Sequence, residues 1–254
     1  MNIKIALGEN MSEEHRQHHI NLLPGEAAST VLIPDDSGRV QLFAESMDEA
    51  EKVTQKREYI TYTGKKGGTQ ISCTSTGLGS SPTAIGAEEL VRIGTKNIIR
   101  IGTCRAIQSF VQPGDLIIAT GAVRGERATE ELIPIDYPAV ADFRIVRALI
   151  EACTRLEQPY HLGIVRTHDA LYLEAPFAAG GRPANVQQWV DLGVLAQDNE
   201  TSALFVVAGM QGVRAGAILL YSAAPHDKGL EERTRVQMAA GIEAARILHE
   251  KGLD

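Results

Sequence analysis

Apolar and polar positions change period again and again along the chain, switching between two residues and about 3.6 residues. "TVLIP" (30–34) is a short apolar run and predicts a strand, and "GRVQLFAESM" (38–47) predicts a helix. "EYITYTG" (58–64) and "TQISCTS" (69–75) flank the turn signal "GKKGG", which predicts a hairpin. "SPTAIGAEELVRIG" (81–94) has helical spacing, a serine near its start and a glycine at its end, as capping requires. Strands follow at "NIIRIG" (97–102) and "DLIIATGAV" (115–123).

The second half keeps the alternation. "DFRIVRALIEACTRL" (142–156) predicts an amphipathic helix, "YHLGIVRTHDA" (160–170) a strand and "NVQQWVDLG" (185–193) a short helix. "ETSALFVVAGMQG" (200–212) reads as a mostly apolar helix against a buried strand, "AGAILLYSA" (215–223), with a long closing helix over 229–252. No linker, repeat or low-complexity stretch interrupts the pattern. It implies an α/β fold: a single-domain three-layer α/β/α sandwich with a central mixed β-sheet. Residues 1–18 are read as an N-terminal extension and 19–254 as the domain.

Composition narrows the function. With 254 residues, 44% hydrophobic and 22% charged, the chain has the make-up of a soluble globular protein. A net charge of −7 argues against nucleic acid or an anionic membrane as partner. No run approaches the roughly 18 apolar residues of a membrane span, and the polar start lacks the apolar core of a secretory signal, so the cytoplasm is the expected compartment. Three scattered cysteines suggest neither a disulfide framework nor a zinc site. "HRQHH" (15–19) lacks matching ligand spacing, so no metal is expected.

The most informative stretch is "RIGTCRAIQ" (100–108). Arg100 falls inside a strand that reads as buried, where a cation is costly unless an anion meets it. Gly102 and Thr103 then offer backbone N–H groups and a hydroxyl at the strand's end, the edge at which open α/β sheets bind ligands. An oxyanion site is the direct reading.

The stretches "STGLGSSPTAIGAEELVRIGTKNIIRIGTCRAIQ" and "PGDLIIATGAVRGE…PIDYPAVADF" resemble the nucleoside phosphorylase family of uridine and hexameric purine nucleoside phosphorylases. "HINLLPGEAASTVLIPDDSGRV" is similar to that family's opening, and the resemblance spans about residues 19 to 250. It implies reversible phosphorolysis of a ribonucleoside, pyrimidine-type and uridine-like, to free base and ribose 1-phosphate. Inorganic phosphate is the co-substrate and no cofactor is needed. The resemblance places Arg39, Arg57, Arg100 and Thr103 on phosphate, with Arg57 reaching in from a neighbouring subunit. Planar guanidinium forks suit that task. It places His19, Asn199 and Glu200 on the ribose and Arg105, Tyr172 and Asp198 at the base. Arg39, Arg100, Thr103 and Glu200 are the expected catalytic set. A homodimer, or a hexamer built as a trimer of dimers, with shared active sites is implied.

Several positions depart from the family pattern. The phosphate loop reads Pro34-Asp35-Asp36, with Asp35 where the family has glycine, and Arg105 replaces a glycine beyond Thr103. The opposite charges suggest that Asp35 and Arg105 pair, or that both meet an unusual substrate. The uracil-reading positions fall on Ala175 and Phe177, leaving Arg182 as a conceivable substitute. The purine-reading window holds Ser222, Ala223 and Ala224, with His226 and Asp227 beyond it. Glu58 matches a monovalent-cation ligand whose serine partner is Pro82 here, so that ion is not expected. Cys104 reads as a small buried residue. Two further readings stay open: a nucleosidase using water, and a paralogue that binds a nucleoside or anion without turnover.

Overall fold

The computed structural model describes residues 15–172, 186–222 and 229–254. The elements run β1 (Thr30–Ile33), α1 (Ser37–Ser46), β2 (Glu49–Lys56), β3 (Tyr59–Lys66), β4 (Thr69–Thr74), α2 (Ser80–Arg92), β5 (Asn97–Ala106) and β6 (Leu116–Gly125). They continue with β7 (Ala139–Val140), α3 (Phe143–Arg155), β8 (Tyr160–His168), α4 (Val186–Asp191), β9 (Ala196–Asp198), α5 (Thr201–Gln211), β10 (Arg214–Tyr221) and α6 (Leu230–Glu250). The predicted elements are present, with ends shifted by a few residues. β2 was not foreseen: its sequence EAEKVTQK is largely exposed, so it carries no apolar alternation to read.

The sheet is mixed, as predicted. β2, β3 and β4 form an antiparallel meander, and β4, β1, β5 and β10 follow in parallel. β10 pairs antiparallel with β6, which pairs parallel with β8. The sheet then closes. β5 outlasts its neighbours, and its tip, Arg105 and Ala106, pairs antiparallel with β9, which itself lies on β8. Five strands (β5, β10, β6, β8, β9) thus form a ring. An irregularity in β6 between Ala119 and Gly121 supplies the local bend that closure needs.

Helices cover both faces: α2 packs on α5, while α3 and α1 pack on α6. The interior strands are buried along most of their length because both faces are covered, β5 and β10 above all. α6 approaches β5 closely. A β-carbon on Gly241 would stand 2.5 Å from Ile101 Cδ1, so the glycine lets α6 lie low enough to deliver Gln237 to the strand's end. The expected boundary at residue 19 is crossed by contacts: Arg16 donates to the Asn21 carbonyl at 2.9 Å and to Glu26 at 3.2 Å.

Candidate active site

Parallel strands β1, β5 and β10 end at one edge, and the loop after β1 and the start of α5 meet there. Arg100 lies at the centre, 1% exposed. Its Nε donates to Asp198 Oδ2 at 3.3 Å and its Nη2 donates to Glu200 Oε2. Burial works against its charge, but Glu200, Asp35 and Asp198 hold it firmly protonated. Its Nη1 is sealed from solvent and has no hydrogen-bond partner. A buried guanidinium N–H without an acceptor is expensive, so the strand carries a donor prepared for something else.

Arg39, in the first turn of α1, is also buried. Asp36 caps that helix by accepting from the Gly38 N–H at 2.8 Å, which fixes the turn. Arg39 Nη1 reaches across to the Ile101 carbonyl at 2.9 Å. Gln237 from α6 ties the same point together: Nε2 donates to the carbonyls of Gly102 (2.6 Å) and Ile218 (2.8 Å), and Oε1 accepts from Arg39 at 3.4 Å. Thr103 follows on β5, half-buried. Nothing in the sequence singled out Gln237. Its position on an amphipathic helix looked like any core-facing polar residue.

Glu200 is buried and precedes α5. Its Oε1 accepts from the Gly79 N–H at 2.7 Å, at the start of α2, and its Oε2 from the Asn199 N–H at 3.2 Å. Burial pushes its carboxyl up to about 7; Arg100 opposes this, and Asp198 and Asp35 add to it. Asp198, not Glu200, serves the N-terminus of α5, accepting from the Thr201 N–H at 3.0 Å. Its other oxygen accepts from Thr167 Oγ1 at 2.6 Å. Asn199 is held by donating to the His168 carbonyl, while its own carbonyl accepts from Ser80 Oγ at 2.7 Å.

Asp35 faces the arginines, not Arg105. Its charge acts on both Arg39 and Arg100, its Oδ1 is buried without a partner, and no ion pair joins it to Arg105. The expected pairing is therefore corrected: Arg105 stands exposed at the tip of β5, where its strand turns onto β9. Cys104 is buried, and burial raises its thiol pKa, which suits packing and disfavours a nucleophile.

The remaining predicted residues lie elsewhere on this protomer. Arg57 occupies the turn between β2 and β3, exposed, with φ 54°. His19 is anchored to α2: its Nδ1 lies 2.7 Å from Glu89 Oε1, and Glu89 also accepts from the N–H groups of His19 and Ile20. These contacts hold Glu89 ionised below the usual range against its burial. Tyr59 lies beside His19, with ring centroids 6.5 Å apart. Tyr172 is 68% exposed. Ala175, Phe177, Arg182, Ala223, Ala224, His226 and Asp227 lie outside the described residues. Among the described residues no group of three or more His, Cys, Asp or Glu is placed to hold a metal, and no helix is long and apolar enough to cross a membrane.

The sequence profile described as the phosphorylase superfamily matches residues 29–250. The chain belongs to the phosphorylase superfamily. This phosphorylase is 41% identical to a uridine phosphorylase of Thermococcus kodakarensis over 213 residues, 82% of this chain and 77% of that one. It is 34% identical to a uridine phosphorylase of Treponema pallidum over 91% of this chain and 94% of the relative. It is also 34% identical to a guanosine phosphorylase of Halorubrum lacusprofundi, over 80% and 81%. A crystal structure of uridine phosphorylase from Vibrio fischeri superposes with a TM-score of 0.81 at 30% identity, covering 92% of this chain and 98% of that one. The family and the α/β fold inferred from the sequence are borne out.

Proposed function

We propose that this phosphorylase cleaves a uridine-like ribonucleoside with inorganic phosphate, reversibly, to free base and ribose 1-phosphate. The observation that carries the proposal is the divided guanidinium of Arg100. One side is tied to Glu200 and Asp198, while Nη1 is left buried without an acceptor. Phosphate on Arg39, Arg100 and Thr103 takes up that free donor. Glu200 accepts hydrogen bonds from the ribose hydroxyls on the other side of the same arginine. The anomeric carbon then lies between them. As the C–N bond breaks, its electron pair leaves with the base, and a phosphate oxygen forms the new C–O bond. Arg39 and Arg100 balance the charge of the attacking anion.

Asp198 accepts from Arg100, Thr167 and Thr201, and Asn199 donates to the His168 carbonyl, so they hold Arg100 and Glu200 in place behind the sugar. Arg105 and Tyr172, both exposed, remain the candidates to meet the base. Arg57 and His19 complete the site from a second subunit. Arg57 stands on a hairpin tip without an ion partner among the described residues, and exposed Val140 and Phe143 offer apolar surface for assembly as a dimer or a hexamer. The expected setting is cytoplasmic, with no cofactor.

Asp35 favours one second reading. A carboxylate beside the anion site suits orientation of a water molecule, which would make the enzyme a nucleosidase. Release of base from uridine, thymidine, cytidine, inosine, guanosine and adenosine, with and without phosphate, decides between them. Guanosine belongs in the panel because a guanosine phosphorylase shares as much identity with this chain as one of the uridine enzymes does. Phosphate-dependent release from uridine supports the proposal. Release without phosphate assigns water as the nucleophile, and no release from any nucleoside overturns both.

A further inference from the structure

We propose that Asp35 makes the oxyanion site selective for an anion that still carries a proton, so that hydrogen phosphate is accepted and sulfate refused. The inference rests on the reading of Arg39, Arg100 and Thr103 as the phosphate site.

Two polar atoms in this cluster are buried and unsatisfied, and they are opposite in kind. Arg100 Nη1 is a donor lacking an acceptor, and Asp35 Oδ1 is an acceptor lacking a donor. They do not satisfy each other. Buried polar groups are almost always paired, and a single ligand that meets both atoms has to offer both functions at once. Inorganic phosphate near neutral pH does so: its bare oxygens accept from guanidinium N–H groups, and its remaining O–H donates to a carboxylate. Sulfate has the same tetrahedral shape and only acceptors. Against Asp35 it would set one anionic oxygen on another and leave the carboxylate without a donor.

The loop keeps Asp35 facing the arginines. The Pro34 carbonyl accepts from the Thr76 N–H at 2.9 Å and the Asp35 carbonyl from the Gly77 N–H at 3.1 Å, in the same turn whose Gly79 holds Glu200. Arg39 and Arg100 stand against Asp35, Asp198 and Glu200, and Asp35 influences both guanidiniums directly. Hydrogen phosphate and sulfate are both dianions, so this site does not tell them apart by field alone. It selects by the hydrogen bond that the carboxylate accepts.

The test is binding of inorganic phosphate and of sulfate, at matched ionic strength, to wild type, Asp35→Asn and Asp35→Gly by thermal shift and calorimetry. Wild type is expected to bind phosphate and to show little response to sulfate. Asp35→Asn places an N–H donor where the acceptor stood, so sulfate should now bind, and the preference for phosphate should fall about tenfold or more. Asp35→Gly removes the side chain altogether and should lose discrimination in the same direction. Comparable affinity of wild type for both anions overturns the proposal, as does unchanged preference in both variants. If phosphate-dependent base release persists in that case, only the role of Asp35 falls. If no protein binds phosphate and none releases base with it, the phosphate reading falls too.

Discussion

The guanidinium of Arg100 lies across Gly102: a β-carbon at residue 102 would stand 2.4 Å from Nη2 and 2.5 Å from Cζ. The glycine therefore gives the arginine the space in which it turns back over its own strand toward Glu200. Gly102→Ala should push the guanidinium out of register with Glu200 and the phosphate. We expect kcat/KM to fall about 10²-fold, the scale of losing one preorganised donor. Stability should fall by about 1–3 kcal/mol from overpacking, measured by denaturant unfolding.

Gln237 holds two buried carbonyls and Arg39 together. Gln237→Leu keeps the volume roughly but leaves the carbonyls of Gly102 and Ile218 without their donor. A loss of about 1–3 kcal/mol in unfolding free energy is expected. Because Arg39 loses an acceptor as well, KM for phosphate should rise more than kcat falls. Steady-state kinetics with phosphate as the varied substrate check this, and a change in kcat alone would count against it.

The Glu200 carboxyl, raised by burial to about 7 from 4.5, gives the enzyme a pH signature. The folded state binds this proton more tightly than the unfolded chain does. Its contribution to stability is therefore fully present below pH 4.5 and is lost as pH rises through about 7. Activity runs the other way, because only the ionised carboxylate accepts two ribose hydroxyls: kcat/KM should climb over the same interval. Asp35 adds to the upward shift, so Asp35→Asn should move the acidic limb of the pH–rate profile to lower pH. An unmoved limb would show that Glu200 does not govern it.

If Arg57 serves the neighbouring subunit, two defective enzymes repair one another. Arg57→Ala and Glu200→Gln should each be nearly inactive. Mixed after dissociation and reassembly, they should recover about one quarter of wild-type activity, since half the dimers are hybrids with one intact site each. Mixing that restores nothing would place Arg57 outside the site.

Much of this was readable in the sequence, for identifiable reasons. Buried strands and amphipathic helices announce themselves by period, and Arg100 by being a cation in an apolar run. β2 escaped because its exposed residues carry no apolar pattern, and β9 because three residues are too few to have a period. Asp198 and Glu200 stand two residues apart, and nothing in the sequence says which of them serves the helix start. Only the fold shows that Asp198 serves the α5 terminus while Glu200 is turned toward Gly79 and Arg100. Gln237 joined the site through a sequence separation of 198 residues from Arg39, which no local pattern encodes. The pairing of Asp35 with Arg105 failed because opposite charge on two loops says nothing of direction, and β5 turns Arg105 outward onto β9.

The strand that carries Arg100 and Thr103 is bonded on one side to β1, on the other to β10, and at its tip to β9. Its amides can meet solvent deuterium only when the ring itself opens, so they should exchange as slowly as the whole fold unfolds. The hairpin tip bearing Arg57 lies at the sheet's outer margin and should exchange fastest. An anion held by both would join the most persistent and the most transient parts of the molecule, and its arrival should be felt as slowed exchange at the hairpin alone.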